Sequence, residues 1–217
     1  MEKQRFASEA TAEQEVGNAV THGIGLGLAV AALVVLVASA AARGSAWHVA
    51  AFAVFGSSMV LLYLASTLYH SAREPARKRL FEIFDHAGIF VLIAGSYTAF
   101  ALTVLRAGSG WWIFGTIWAI AAFGIVMEAL FLNRRPILTL LAYLAMGWLI
   151  VFVWNGLVRS APLRSIAFLA AGGLSYTFGT VFYALGRRWG WFHLAWHLFV
   201  IGGTACHVFS ALALLPA

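Results

Sequence analysis

Polar residues at two helical spacings and one adjacent pair interrupt an otherwise apolar chain, and each grouping could do chemistry. Ser66 and His70 stand four apart in Ser66-Thr67-Leu68-Tyr69-His70, and His193 and His197 do the same in His193-Leu194-Ala195-Trp196-His197. Asp85 and His86 are adjacent in Phe84-Asp85-His86-Ala87-Gly88. Four residues advance a helix by about 400°, so each four-apart pair shares one face, about one turn apart. Three imidazoles and a carboxylate brought together make a zinc-binding set. A His nitrogen binds Zn²⁺ at about 2.0–2.1 Å, and catalytic sites commonly use three protein ligands and leave a fourth position to water. The pattern nominates His70, His193 and His197 as ligands. Asp85 would stand beside them and accept a hydrogen bond from water, with Ser66, one turn from His70, as a further polar partner. The competing reading is that these histidines lie at headgroup level and hydrogen-bond water, loop carbonyls or one another.

The elements that must position these residues follow from hydropathy. Of 217 residues, 62% are hydrophobic and 10% charged, against roughly 45–50% and 25% in soluble domains. The charges cluster between apolar runs at 21–42, 46–69, 84–105, 111–132, 137–157, 163–185 and 192–215. Runs of about 20 residues match a hydrocarbon core of about 30 Å. Backbone groups in lipid must pair internally, so the runs read as helices; a β-barrel would show alternating segments of about ten residues. The expected fold is an all-α seven-transmembrane-helix bundle over 21–217 after a cytoplasmic segment over 1–20. Asn155 and Gly156 blur the end of the fifth run, which leaves six or eight crossings open.

Basic residues set the expected orientation. Lys3, Arg5, Arg73, Arg77, Lys78, Arg79, Arg134, Arg135, Arg187 and Arg188 fall on the N-terminal side, and Arg43, Arg106, Arg159 and Arg164 on the other. The positive-inside rule then puts the N-terminus in the cytoplasm and the C-terminus outside, in a multi-pass protein of the cell inner (plasma) membrane. The end of the second helix and the starts of the third and seventh thereby share the cytoplasmic side, so His70, Asp85, His193 and His197 can meet at one depth. The net charge of +6 is explained by loops against anionic headgroups. The expected partners are membrane lipids and not nucleic acid; a homo-oligomer stays open.

A second stripe, Glu15, Asn18 and His22, has the i, i+3, i+7 spacing of one helical face and could reach the metal site as an inner turn of the first helix. His207 lies ten residues beyond His197, about 15 Å along a straight helix, too far to share the ligand shell. Glu128 reads as a charge partner for Arg134 or Arg135, His86 as a packing residue, and His48 as facing solvent or headgroups. Gly23-x-Gly25-x-Gly27 suggests close helix packing; it lacks the Lys-Ser/Thr ending of a phosphate loop. Trp111, Trp112, Trp189 and Trp191 suit the membrane interfaces. Cys206, the single cysteine, excludes an internal disulfide and a thiolate-rich metal site and reads as a small core hydrophobe. Ala38-Ser39-Ala40 has the look of a signal-peptide cleavage site, but its apolar run is too long and follows acidic residues, so a retained helix is expected.

Taken together, Glu15-x-x-Asn18-x-x-x-His22, Ser66-x-x-x-His70, Asp85-His86-Ala87-Gly88, Ala94-Gly95-Ser96-Tyr97-Thr98 and His193-x-x-x-His197 followed by His207 resemble the hemolysin III family. That family sits within the wider group of progestin and adipoQ receptors and alkaline-ceramidase-like membrane hydrolases. The resemblance implies seven helices, a cytoplasmic N-terminus and zinc near the cytoplasmic face, held by His70, His193 and His197 with Ser66 and Asp85 beside it. The long N-terminal region of adiponectin receptors is missing, so a hormone-receptor role is not implied. Three functions follow: a zinc-dependent hydrolase of amide-linked, ceramide-like lipids with Asp85 as proton acceptor; a lipid sensor or receptor with structural zinc; and the channel, pore-forming or cytolytic activity in the family name. Nothing in the chain resembles a secreted pore-former.

Overall fold

Helix ends fall where the sequence supplies caps. The first helix, α1 (Ala12–Arg43), starts on a capping box in which Thr11 Oγ1 accepts from the Gln14 backbone and the Gln14 side chain accepts from the Thr11 backbone. Such reciprocal bonds satisfy donors that a helix start leaves orphaned. The third, α3 (Pro75–Ala101), opens with Pro at its first position while the Glu74 carboxylate accepts from Ala76 and Arg77 N–H. Proline costs nothing there, because its missing N–H would have no helical partner. Between them runs α2 (Ala46–Ser71), followed later by α4 (Gly110–Phe131), α5 (Pro136–Trp148), α6 (Trp154–Ser160), α7 (Leu163–Gly186) and α8 (Trp191–Leu212). The computed structural model describes residues 10–132, 136–186 and 188–216.

Counting α5, a 3₁₀ stretch Leu149–Val153 and α6 as one, seven segments are long and apolar enough to cross a membrane. The expected seven-helix, all-α architecture is therefore present, with three corrections to its boundaries. Helix α1 begins at Ala12 and not near 21, so Glu15, Asn18 and His22 are helical. Helix α3 begins at Pro75 and not at 84, which places Asp85 ten residues into the helix instead of at its opening. Hydropathy misses both starts because their first turns carry polar side chains that pair with protein. Thirdly, the irregularity of the fifth span lies at 149–153, ahead of Asn155-Gly156. A switch to 3₁₀ bonding leaves carbonyls of the preceding turn without helical partners. The Tyr97 hydroxyl donates to two of them, Met146 O at 3.0 Å and Gly147 O at 2.8 Å, which meets the requirement that backbone groups in lipid be paired inside the protein.

Short connections make successive helices neighbours: α1 packs on α2, α2 on α3, α3 on α4 and α7 on α8, and α8 returns to α1. The fifth span touches α3, α4 and α7 only lightly. The large apolar residues that remain exposed, such as Phe123, Phe152 and Leu163, face what would be lipid. Trp111, Trp112, Trp189 and Trp191 are exposed as well. Of the expected glycine stripe, Gly25 alone is tight: a Cβ there would lie 2.8 Å from Tyr63 Cδ1, whereas Gly27 has nothing within 4 Å. Residues two apart point about 200° apart on a helix, so they cannot serve one interface. Cys206 is half-buried on α8.

Candidate metal centre

Two helices deliver the three histidines. His70 sits in the last turn of α2, and His193 and His197 occupy consecutive turns at the start of α8. One potential ligand atom from each lies within 4.8 Å of the others, and the ring centroids are 4.7 to 5.3 Å apart. His70 Nε2, His193 Nε2 and His197 Nδ1 are buried with no hydrogen-bond partner. Unpaired polar atoms in a dry interior are costly, and a metal ion satisfies all three together. Four-coordinate zinc with bonds of about 2.0–2.1 Å would set its ligands about 3.4 Å apart. The side chains thus fit after drawing together by about an ångström. A buried three-histidine cluster that could hold a metal is therefore in place.

Helix α1 braces these histidines from behind. Glu15 Oε2 lies 2.7 Å from His70 Nδ1, and Glu15 Oε1 lies 2.9 Å from Lys78 Nζ. An ionised carboxylate only accepts, so Nδ1 carries the proton and Nε2 presents its lone pair to the centre. One turn on, Asn18 approaches His197 through its backbone. His22 stacks on the His197 ring, with centroids 3.5 Å apart and planes 14° apart, and Tyr63 meets His22 edge-on. The stripe Glu15, Asn18, His22 thus touches two of the three histidines. Its contacts with His70 and Lys78 had no spacing signal in the sequence.

Asp85 is buried on α3, with Ser66 and His70 of α2 as polar neighbours. It stands outside the group of mutually close ligand atoms. Ser66 Oγ is buried and closes no hydrogen bond of good geometry, even toward Asp85. His86 belongs elsewhere. Its Nδ1 lies 3.2 Å from Glu128 Oε2, the Thr139 hydroxyl donates to Glu128 Oε1 at 2.6 Å, and Tyr143 donates to the His86 carbonyl. Glu128 thus meets His86 and Thr139; Arg134 and Arg135, its expected charge partners, lie outside the described residues. His48 is not simply solvated: its Nδ1 accepts from the Ser45 backbone at 3.2 Å and caps α2. His207 is buried and takes no part in the ligand cluster.

Replacing Glu15 by Gln is expected to weaken metal binding by about 10–100-fold, the usual effect of losing a partner that orients a ligating histidine. Competition with a chelator measures it, with Lys78→Met as the control for loss of the ion pair alone. An unchanged affinity in Glu15→Gln would remove Glu15 from this role.

Fold and site together define a membrane-embedded, seven-helix protein with a buried three-histidine centre. More narrowly, the chain belongs to the haemolysin-III-related family, whose profile matches residues 10–208. It is 42% identical over 202 residues to the "Hemolysin-3 homolog" of Bacillus subtilis, covering 93% of this chain and 94% of that one. It is also 42% identical over 200 residues to "Hemolysin-3" of Bacillus cereus, covering 92% and 91%. A more distant similarity, 27% over 166 residues, joins it to the human "Monocyte to macrophage differentiation factor", covering 72% of this chain and 67% of that one.

Proposed function

We propose that the chain is a zinc-dependent membrane hydrolase acting on amide-linked, ceramide-like lipids. The observation that carries this reading is a cavity of about 320 Å³, lined mainly by apolar side chains, that includes Leu62, Ile89 and Trp196. Leu62 is one helical turn from Ser66, Ile89 is one turn from Asp85, and Trp196 adjoins His197 in sequence. None of the three histidines lines the cavity itself; what supports the reading is that its wall runs to within one helical turn of Ser66 and Asp85, so that a lipid chain held there would point its polar end toward the cluster. Exposed residues of its lining, Trp148, Val151 and Leu174, open it sideways to the bilayer.

His70, His193 and His197 would hold the ion. Zinc, when bound, would polarise an acyl carbonyl and lower the pKa of a coordinated water to about 7. Asp85 would accept the proton from the attacking water, and Ser66 would help to orient it. The test is release of fatty acid from a panel of N-acyl lipids by purified protein, followed by mass analysis, with His70→Ala as control. Equal release by both proteins would overturn the hydrolase reading.

The comparisons speak more directly for a second reading. Two relatives at 42% identity bear the name hemolysin, so a channel, pore-forming or cytolytic activity, or lipid sensing with structural zinc, is the alternative. Leakage of dye from vesicles on adding the protein, undiminished in His70→Ala and without fatty-acid release, would favour the lytic form. Both readings place the chain in the cell membrane with its N-terminus inside. Reporter fusions at Met1 and Ala217 are expected to land on opposite sides, N-terminus cytoplasmic, as ten of 14 basic residues on one side require. Fusions landing on one side would rule out an odd number of crossings.

A further inference from the structure

The lipid cavity runs along the helices over one common length. Its wall extends from Ile89 to Phe100 on α3, from Thr180 to Leu169 on α7 and from Trp196 to His207 on α8. The ends of each interval are eleven residues apart, about 16 Å at 1.5 Å per residue. Walls α7 and α8 are also in register. Gly179 packs against Trp196 at one end and Gly172 against the His207 ring at the other, so closely that a Cβ on either glycine would collide with its neighbour. The space is therefore a slot parallel to the helices, with its first end one turn from Ser66 and Asp85.

The far end is closed. One turn past Leu169 and His207, the Ser165 hydroxyl donates to Ser210 O at 2.9 Å and the Ser210 hydroxyl donates to Ser165 O at 2.6 Å. These reciprocal bonds draw α7 and α8 together, and both serines are fully buried. Beyond Phe100 and Trp154, which line the same end, Leu105 and Leu157 are 4% and 0% exposed. A chain that reaches this end meets packed protein. The slot is also narrow: its volume of about 320 Å³ is at the small end of the range for ligand pockets, about 300–1,000 Å³, which leaves room for one chain and not for two.

We propose that the slot is a chain-length ruler: it accepts one straight acyl chain of up to about 18 carbons, and Phe100, Leu157 and Leu169 set the limit. The proposal rests on the lipid-site reading and adds which chains the site admits. Asp85 and Phe100 are fifteen residues apart on α3, about 22 Å. A carbon–carbon bond of about 1.5 Å advances a zigzag chain by about 1.25 Å, so about 18 carbons reach from beside Asp85 to the closed end. Up to that limit length matters little, because a methylene that leaves the bilayer for an apolar slot exchanges like for like. A longer chain must kink or displace the floor. Forcing extra methylenes into packed protein weakens binding by about tenfold or more.

The test is displacement of radiolabelled palmitate from the metal-loaded protein in phosphatidylcholine nanodiscs by saturated fatty acids from laurate to lignocerate, each at the same mole fraction of the bilayer. Laurate to stearate are expected to compete alike, and behenate and lignocerate about tenfold more weakly. Leu157→Ala, which hollows the floor, should move the break outward by about two carbons, so that arachidate competes like stearate. Leu169→Phe, which fills the slot above the floor, should weaken stearate about tenfold while laurate holds. A shift in either variant supports the proposal. Equal competition by behenate and stearate in wild type would overturn it, since the tail would then leave by the side opening. So would a break that neither variant moves, or the lack of saturable palmitate binding. Should Leu157→Ala not fold, Leu169→Phe decides alone. These acids carry no amide bond, so the result is independent of turnover. A break without hydrolysis keeps the ruler, and hydrolysis without a break keeps only the hydrolase reading.

Discussion

Alanine at any one of His70, His193 or His197 is expected to reduce bound metal from about one ion per chain to near zero after dialysis. Three imidazoles are the protein's share of a four-coordinate shell, so removing one leaves two nitrogens and a cavity where the third stood. His86→Ala and His207→Ala should retain the ion, because neither belongs to the mutually close set. Elemental analysis supplies the stoichiometry, and thermal unfolding supplies a second readout. A ligand at about a thousand times its Kd stabilises the folded state by about 4 kcal/mol. Chelation should therefore lower the melting temperature of wild type and leave the three alanine variants unmoved. Full occupancy in all three variants would mean that the cluster is a hydrogen-bonded histidine group and not a metal centre.

The seven spans could be read from sequence because lipid imposes a single strong condition, an apolar run long enough to cross. The three-histidine cluster could be read because a four-residue spacing fixes a face and alternating crossings fix a depth. What stayed hidden depended on contacts between distant helices. Glu15 meets His70 across 55 residues and Lys78 across 63, and no local pattern encodes either. Those contacts also explain the late starts expected for α1 and α3. Polar first turns look like loop to a hydropathy window, yet here they pair with one another. The 3₁₀ stretch at Leu149–Val153 contains neither Gly nor Pro, so the usual signals of a helix break were absent and Asn155-Gly156 drew attention instead. Glu128 likewise meets His86 from α3 and Thr139 from α5, contacts between helices that no local spacing encodes.

Asp85→Asn is expected to keep the metal and lose the reaction, if the centre is a hydrolase. The order of the groups gives the reason. The three histidines complete the protein's ligand set, and Asp85 lies outside it, buried beside Ser66 and His70. A carboxylate in that position has no coordination site to fill, and its useful task is to orient water and take its proton. Asparagine preserves size and one acceptor but removes both the charge and the base. Loss of a positioned proton acceptor typically costs about 10²–10⁴-fold in rate, whereas loss of an orienting partner costs about 10–100-fold in affinity or activity. With metal in excess, the variant should therefore match wild type in zinc content and in thermal stability while releasing fatty acid from amide-linked lipids at least about a hundredfold more slowly. Ser66→Ala should fall between the two, since it removes an orienting hydroxyl and leaves the base. The assay is single-turnover release measured beside elemental analysis of the same sample, so that metal loss and catalytic loss are read separately. Substantial and equal turnover by wild type and Asp85→Asn would keep the enzyme and remove Asp85 as its base. Loss of zinc from Asp85→Asn even with metal in excess would instead make Asp85 part of the ion's binding site, and the open position assumed for water would have to be reconsidered.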